Sequence, residues 1–237
     1  MDYLSFLQKE AEIKESLRIP EEFDLSTVSK IGGLDISVNK KDASIAYGTL
    51  AVLEYPSLKT LGTVSLAIVP KIPYVAGFLG FREAEIYSLL LEKTKKDRPE
   101  LYPDVLMVDG NGLWHPRGCG SACHVGYHTG LPSFGVAKNP LTVHEITREA
   151  FQKLYPSIPE GGYLKVDHEG EVFGAMVRGG ASKNPIFASP GHLISWDATL
   201  ELTLKTCKHR IPEPIRVADQ ESRKLAREAK PVTRLLK

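Results

Sequence analysis

Three β-rich runs, residues 31–38, 44–54 and 60–69, follow one another with only Asn39-Lys-Lys-Asp42 and Tyr55-Pro-Ser57 between them. Polar or proline-containing links that short join neighbouring strands in opposite directions, so this part of the chain is expected to fold as an antiparallel three-stranded meander. Beyond it the pattern changes period. Residues 81–96 place Phe81, Ile86, Leu89 and Leu90 on one face and turn Glu85, Glu92 and Lys93 away, which marks an amphipathic helix. Val105-Leu-Met-Val108 is a short, continuous apolar run of the kind buried in a parallel sheet. Helix and strand signals then alternate: helix 118–128, strand 133–137, helix 142–154, strands 163–166, 171–177 and 186–188, and helices 195–207 and 217–229. A first helix is expected over 2–18, where Leu4, Leu7, Ala11 and Leu17 recur at helical spacing until Pro20. The fold class is therefore α/β: a mixed sheet, antiparallel meander plus parallel strands, flanked by helices.

A ribonuclease H-like sheet fits this order. In such a sheet the first strand and the first parallel strand after the meander are neighbours, which brings Asp35 and Asp109 face to face at its centre. With 237 residues, 42% of them apolar, the chain has enough core for one domain spanning 1–237. Lys+Arg 30 against Asp+Glu 29 excludes a global basic field, so contact with a nucleic acid must be local. The basic C-terminal segment 216–237, with seven Lys/Arg against three acids, offers a phosphate-tracking surface, and its bland reading is a solvated helix face. Three cysteines make no disulfide framework, the start Met1-Asp-Tyr-Leu-Ser lacks the basic and apolar regions of a leader, and no apolar run is of membrane-spanning length. The chain reads as an intracellular protein, cytoplasmic or nuclear, without membrane contact, and is taken as a monomer. Neither a Walker A run nor GxGxxG is present, so no nucleotide cofactor is expected.

Asp35 lies inside an apolar strand, where an ionised carboxylate costs several kcal/mol (about) unless it is paired or bound to a cation. Asp109 ends a strand and enters Gly110-Asn-Gly112, a good turn signal and also a ligand-binding position at a strand's carboxyl end. Together with Glu83 these acids suggest a Mg²⁺ site, open to Mn²⁺, for phosphodiester hydrolysis, because such ions activate water and stabilise a leaving alkoxide. Asp219 is a fourth candidate, its alternative being an acid near a helix N-terminus. Lys138 is expected to emerge at the same sheet edge as Asp109, suited to stabilising phosphorane charge, and His115 to contact a phosphate or a water. Cys119, Cys123 and His124 with His115 invite a zinc reading, but one Cys-x₃-Cys pair lacks the second pair of a structural zinc site, so the thiols are read as helix packing.

These segments resemble the endonuclease V family, the nucleases acting at deaminated adenine, and its eukaryotic branch most. Residues 73–83 are similar to Pro-Tyr-x-x-Gly-x-Leu-x-Phe-Arg-Glu, residues 108–117 to Val-Asp-Gly-x-Gly-x-x-His-Pro-Arg, and residues 134–138 contain Gly-Val-Ala-Lys; Ser189-Pro-Gly-His192 and Arg210-Ile-Pro-Glu-Pro214 match as well. The resemblance implies a ribonuclease H-like fold and metal-dependent cleavage at the second phosphodiester 3′ to inosine, leaving 3′-hydroxyl and 5′-phosphate ends. It implies Asp35, Glu83 and Asp109 as metal residues, with His115, Lys138 and Asp219 supporting them. Pro73, Tyr74, Val75 and Ala76 match a wedge whose tyrosine stacks in the gap left by the displaced base, an interaction worth ~1–3 kcal/mol. Gly77, Leu79, Gly110, Gly135 and Ala137 match a pocket for hypoxanthine; Arg82, Gly112 and His192 complete the substrate-binding set within the matched motifs. Ala76, where many bacterial members carry proline, and Ala-Cys-His at 122–124 point to inosine in single-stranded RNA as the substrate, with deoxyinosine DNA as a second. A less selective nuclease or resolvase, and a catalytically silent inosine-RNA binder, are the alternatives.

Overall fold

The computed structural model describes residues 3–39, 44–72, 75, 77–146, 148–180 and 182–228. Helix α1 (Tyr3–Ser16) precedes the meander β1 (Lys30–Val38), β2 (Ala46–Glu54) and β3 (Thr60–Ile68). Then come α2 (Leu79–Asp97), β4 (Val105–Val108), α3 (Ser121–Thr129), β5 (Ser133–Ala137) and α4 (Arg148–Leu154). The hairpin β6 (Tyr163–His168) and β7 (Glu171–Val177), then β8 (Ile186–His192), α5 (Trp196–Thr206) and α6 (Glu213–Glu228) complete the order. All eight strands belong to one sheet, ordered β3-β2-β1-β4-β5-β8-β7-β6. β1, β4 and β5 run parallel and every other pairing is antiparallel. This is the ribonuclease H-like mixed sheet expected from the sequence.

Both faces of the sheet are covered, which is why β2 and β5 are buried almost throughout instead of alternating. On one face Leu34, Leu50, Leu106 and Val108 pack against Ile86, Tyr87 and Leu90 of α2 and Val125 of α3. On the other, Ile31, Val105, Met107 and Phe134 pack against Leu200 and Leu202 of α5 and Ile215 of α6. Strand periodicity then decides where the acids point: Asp35 shares a side of β1 with Ile31, and Asp109 continues the side of Val105 and Met107, so both face α6. Helix α6 lies unusually close to β1. A Cβ on Gly33 would sit 2.1 Å from the carbonyl oxygen of Pro214, so only glycine permits this approach.

Three boundaries differ from the sequence pattern. The helix expected over 142–154 is confined to α4, because His144 and Glu145 adopt positive φ (53° and 61°) in a tight turn closed by the Val143–Ile146 bridge. β8 extends to His192 although Pro190 and Gly191 look unlike strand, because pairing with β5 continues through Pro190 and His192. Helix α6 begins at Glu213, four residues before the expected start, since Pro214 sits in the first turn where no backbone donor is needed. Among the described residues no helix is long and apolar enough to cross a membrane. The part of the basic segment carrying Lys230, Arg234 and Lys237 lies outside the described residues.

Candidate active site

The parallel register Leu34–Val108 puts Asp35 and Asp109 on adjacent strands, one residue beyond the last pair, and the Asp109 amide donates to the Leu34 carbonyl at 2.9 Å. Asp219 descends from α6 onto the same point. Among the described residues, Asp35, Asp109 and Asp219 are the one group of three potential metal-binding side chains whose ligand atoms all lie within 4.8 Å of one another. Glu83 stands outside that group, because α2 covers the opposite face of the sheet. It nevertheless lines the same open cleft of about 370 Å³ at the strand ends, with Asp35, Asp109, Gly110, Ala137, Lys138 and Asn139. The cleft thus receives acids from both faces of one sheet.

Electrostatics reflect this crowding. Burial pushes the Asp35 carboxyl up to about 7; Asp109 and Asp219 add repulsion, while a hydrogen bond from Ser222 opposes the shift. Burial likewise lifts Glu83 to about 7, against a hydrogen bond from Ser121 and with repulsion from Asp109 and Asp35. Lys138 supplies the positive charge: its Nζ is 2.5 Å from Asp109 Oδ2 and 2.9 Å from Asp219 Oδ1. Burial lowers the Lys138 pKa, but the two carboxylates outweigh it and hold the ammonium charged. Arg223 reaches Asp219 from the next turn of α6, with Nε 2.9 Å from Oδ2.

The donor set consists of carboxylate oxygens without sulfur or imidazole, which suits a hard cation such as Mg²⁺ or Mn²⁺. Octahedral Mg²⁺ at about 2.1 Å from its ligands places opposite oxygens about 4.2 Å apart, so the present spacing needs only small side-chain adjustments to close on an ion. The cysteines form no comparable centre. Cys119 and Cys123 are buried in an apolar cluster with Phe6, Phe78 and Phe81, matching the packing role read from the sequence.

The remaining sequence-derived residues fall into distinct places. His115 is absent from the residues lining the cleft; its charged neighbours are Glu10, Arg117 and His124, and burial takes its imidazole down to about 4, so it is neutral at physiological pH. His192 accepts a hydrogen bond at Nδ1 from the Arg18 amide (3.2 Å), and Arg82 reaches the Ile72 carbonyl at 3.5 Å. Gly77 has φ +80°, its carbonyl takes a hydrogen bond from Arg117, and that guanidinium lies 4.2 Å over the Phe78 ring. Val75 packs partly into the same cluster and Leu79 opens α2 half-exposed. Pro73, Tyr74 and Ala76 of the wedge lie outside the described residues. The loop after Asp109 is stitched to β8: Ser189 Oγ accepts from the Gly112 and Trp114 amides at 3.0 and 3.1 Å, and the Leu113 amide donates to the Pro190 carbonyl at 2.8 Å. Gly112 and Gly135 allow this close backbone stacking, while Gly110 faces Ser121 at ordinary contact distance.

Sequence reasoning passed over Ser222 and Glu10. Ser222 is fully buried, bonds Asp35 and Ser37, and lies three residues after Asp219 on the sheet-facing side of α6, a spacing that the sequence does display. Glu10 is 3% exposed within an exposed-looking acidic helix, and its bidentate pair with Arg117 spans 107 residues, a relation no local pattern reveals.

The sequence profile described as Endonuclease V matches residues 11–220. Endonuclease V of Mus musculus is 40% identical over 206 residues, which cover 85% of this chain and 61% of that protein, so the chain spans less than two thirds of this relative's length. Among solved structures, the catalytic domain of human endonuclease V aligns with a TM-score of 0.87 at 33% identity, over 93% of this chain and 94% of that one. Endonuclease V of Ciona intestinalis, in complex with a 23-mer DNA containing an inosine followed by a ribo-adenosine, gives a TM-score of 0.87 at 30% identity, over 94% and 96% of the two chains. On the extent of these matches, and on a fold shared along nearly its whole length, the chain belongs to the endonuclease V family.

Proposed function

We propose that this chain is a Mg²⁺-dependent endonuclease, active also with Mn²⁺, that cuts single-stranded RNA at the second phosphodiester 3′ to inosine and leaves 3′-hydroxyl and 5′-phosphate ends. Deoxyinosine DNA is the secondary substrate, and the site of action is inside the cell, in cytoplasm or nucleus. One observation carries the reading: Asp35, Asp109 and Asp219, from a first strand, a loop and a last helix, converge on one point beside Glu83 and Lys138. RNA preference rests on Ala76 and Ala-Cys-His at 122–124, and the ribo-adenosine beside inosine in the Ciona intestinalis complex is in keeping with it.

Asp35, Asp109 and Asp219 would hold the cation, with Glu83 as a further carboxylate of the same cleft. When bound, the ion supplies charge neutralisation at the scissile phosphate and a water made nucleophilic near neutral pH. Glu83, lining the same cleft from α2, supplies a carboxylate beside the attacking water and accepts a hydrogen bond from it. Lys138 keeps its ammonium beside the phosphate and offsets the negative charge that grows during displacement. Neutral His115 donates or accepts a hydrogen bond at the base of the wedge loop without adding charge. The wedge tyrosine Tyr74 fills the space vacated by inosine, and the backbone around Gly77, Leu79, Gly110 and Ala137 accepts hypoxanthine while leaving no room for the 2-amino group of guanine.

The test compares a single-inosine RNA, its guanosine counterpart and its deoxyinosine analogue, each with and without Mg²⁺. Fast cleavage of the inosine RNA, slower cleavage of the deoxyinosine strand and none of the guanosine strand, all dependent on the ion and lost in Asp35→Asn, is the expected result. Equal cutting of the guanosine strand would defeat the base assignment, and equal rates on ribose and deoxyribose would defeat the RNA preference.

A further inference from the structure

A second cleft, about 160 Å³, shares Lys138 and Asn139 with the catalytic one, so the two adjoin across these residues. The first is lined by three acids. The second is lined by Arg148 and Arg210 and has no Asp or Glu in its lining, while Lys138, which borders both, turns its ammonium to Asp109 and Asp219. Arg210 is held in place by backbone alone: its guanidinium donates to the Lys138 carbonyl at 2.7 Å and to the Pro185 carbonyl at 2.9 Å. Those carbonyls fix its orientation and leave its charge without a counterion among the described residues. Arg148, exposed at the start of α4, has no hydrogen bond or ion pair with the described residues. The floor is apolar, made by Phe151 and Phe187, both almost fully buried. A space below the ~300 Å³ of an ordinary small-molecule pocket, with a cationic rim and an apolar floor, suits a passing stretch of polymer better than a free ligand.

The geometry points to this groove as the seat of the sugar–phosphate backbone on the 3′ side of the cut, and we propose that Arg148 and Arg210 bind its first phosphate beyond the scissile one. The inference rests on the nuclease reading above and deepens it. Its direction follows from placement. The base of the wedge loop, through Gly77 and Phe78, is fastened to Arg117 and α1, whereas the second groove is built from α4, β8 and the Arg210 loop. A strand whose inosine sits at the wedge and whose cut lies 3′ of it continues from the carboxylates into the basic groove. Phosphate contacts of this kind position a strand without reading its bases.

Two single-inosine RNAs identical up to the cut, one carrying one nucleotide beyond it and one carrying eight, separate this subsite from general charge effects. Arg148→Gln, at an exposed position, is expected to raise KM about fivefold on the long strand, to leave the short strand's KM near that of the unaltered protein, and to reduce the salt dependence of binding by roughly 0.7 in log–log slope, as loss of one single-strand phosphate contact predicts. Arg148→Lys is expected to recover part of the affinity. The same loss on both strands, or a loss that follows the length of the 5′ flank, would overturn the proposal. Binding of a 5′-phosphorylated octamer without inosine, followed by fluorescence anisotropy, provides a readout that needs no cleavage. Weaker octamer binding by Arg148→Gln in a protein that cuts no inosine strand would remove the nuclease reading and keep the groove, while cleavage by both proteins with unchanged flank dependence would remove the groove alone.

Discussion

Two carboxyl groups at the centre of the cleft, Asp35 and Glu83, titrate near 7 instead of near 4, and the sign of that shift fixes how the protein responds to pH and metal. A folded-state pKa above the unfolded value means that the native state binds more protons, so these two groups withdraw stability as pH rises from about 4.5 to about 7. A divalent ion reverses the effect by favouring the ionised forms. Thermal unfolding should therefore show a larger Mn²⁺-induced rise in Tm at pH 7.5 than at pH 5.5, and calorimetry at pH 6.5 should detect protons released on binding; a Tm gain independent of pH would show that these acids do not hold the ion. Ser222→Ala removes the hydrogen bond that opposes the Asp35 shift. It should weaken metal affinity or activity about 10–100-fold, as loss of an outer ligand partner does, and move the acidic limb of the pH–rate profile upward, a movement that mere loss of packing would not produce. The strand environment of Asp35 was legible in the sequence, since an acid among Ile31, Leu34 and Ile36 demands an explanation. Ser222 was not, because a serine on a helix announces neither burial nor partner.

Among elements, α1 has the least obvious role. Its inward face carries Phe6 and Ile13, and also Glu10, whose carboxylate pairs with Arg117 while the same guanidinium grips the Gly77 carbonyl. Burial would raise the Glu10 pKa, yet His124 and Arg117 outweigh it and hold the group below the usual carboxylate range. One helix thereby fastens the loop that leads into the wedge. Glu10→Gln should destabilise the fold by at most the ~3–5 kcal/mol of a broken buried pair, less because Arg117 is partly exposed. It should also raise KM for inosine strands more than it lowers kcat, with metal affinity unchanged; an effect confined to Tm would mean that α1 only stabilises. Element types were readable where β-rich runs were bounded by short turns, as in β1 to β3, where a short apolar run stood alone, as in β4, or where period 3.6 ran uninterrupted, as in α2. They failed where tertiary pairing overrode local preference: β8 runs through Pro190 and Gly191 because β5 supplies its partner groups, and α4 loses its expected first turn to the positive φ angles of His144 and Glu145.

At the scale of the molecule, the sheet acts as a coordinate frame that gathers residues distant in sequence. Adjacency of β1 and β4 followed from the meander and the first parallel strand, so the meeting of Asp35 with Asp109 could be anticipated. The approach of α6 could not, since it depends on Gly33 accepting the Pro214 carbonyl at a distance only side-chain-free backbone tolerates. Gly33→Ala should push α6 outward, cost about 1–3 kcal/mol as overpacking does, and lower metal affinity by displacing Asp219; unchanged metal binding in a folded variant would show that the helix position is not what sets the site. Asp219 also lies on the last described helix, whereas its companion Asp35 lies on the first strand. The carboxylate cluster can therefore assemble only after the segment through α6 has left the ribosome, however early β1 emerges.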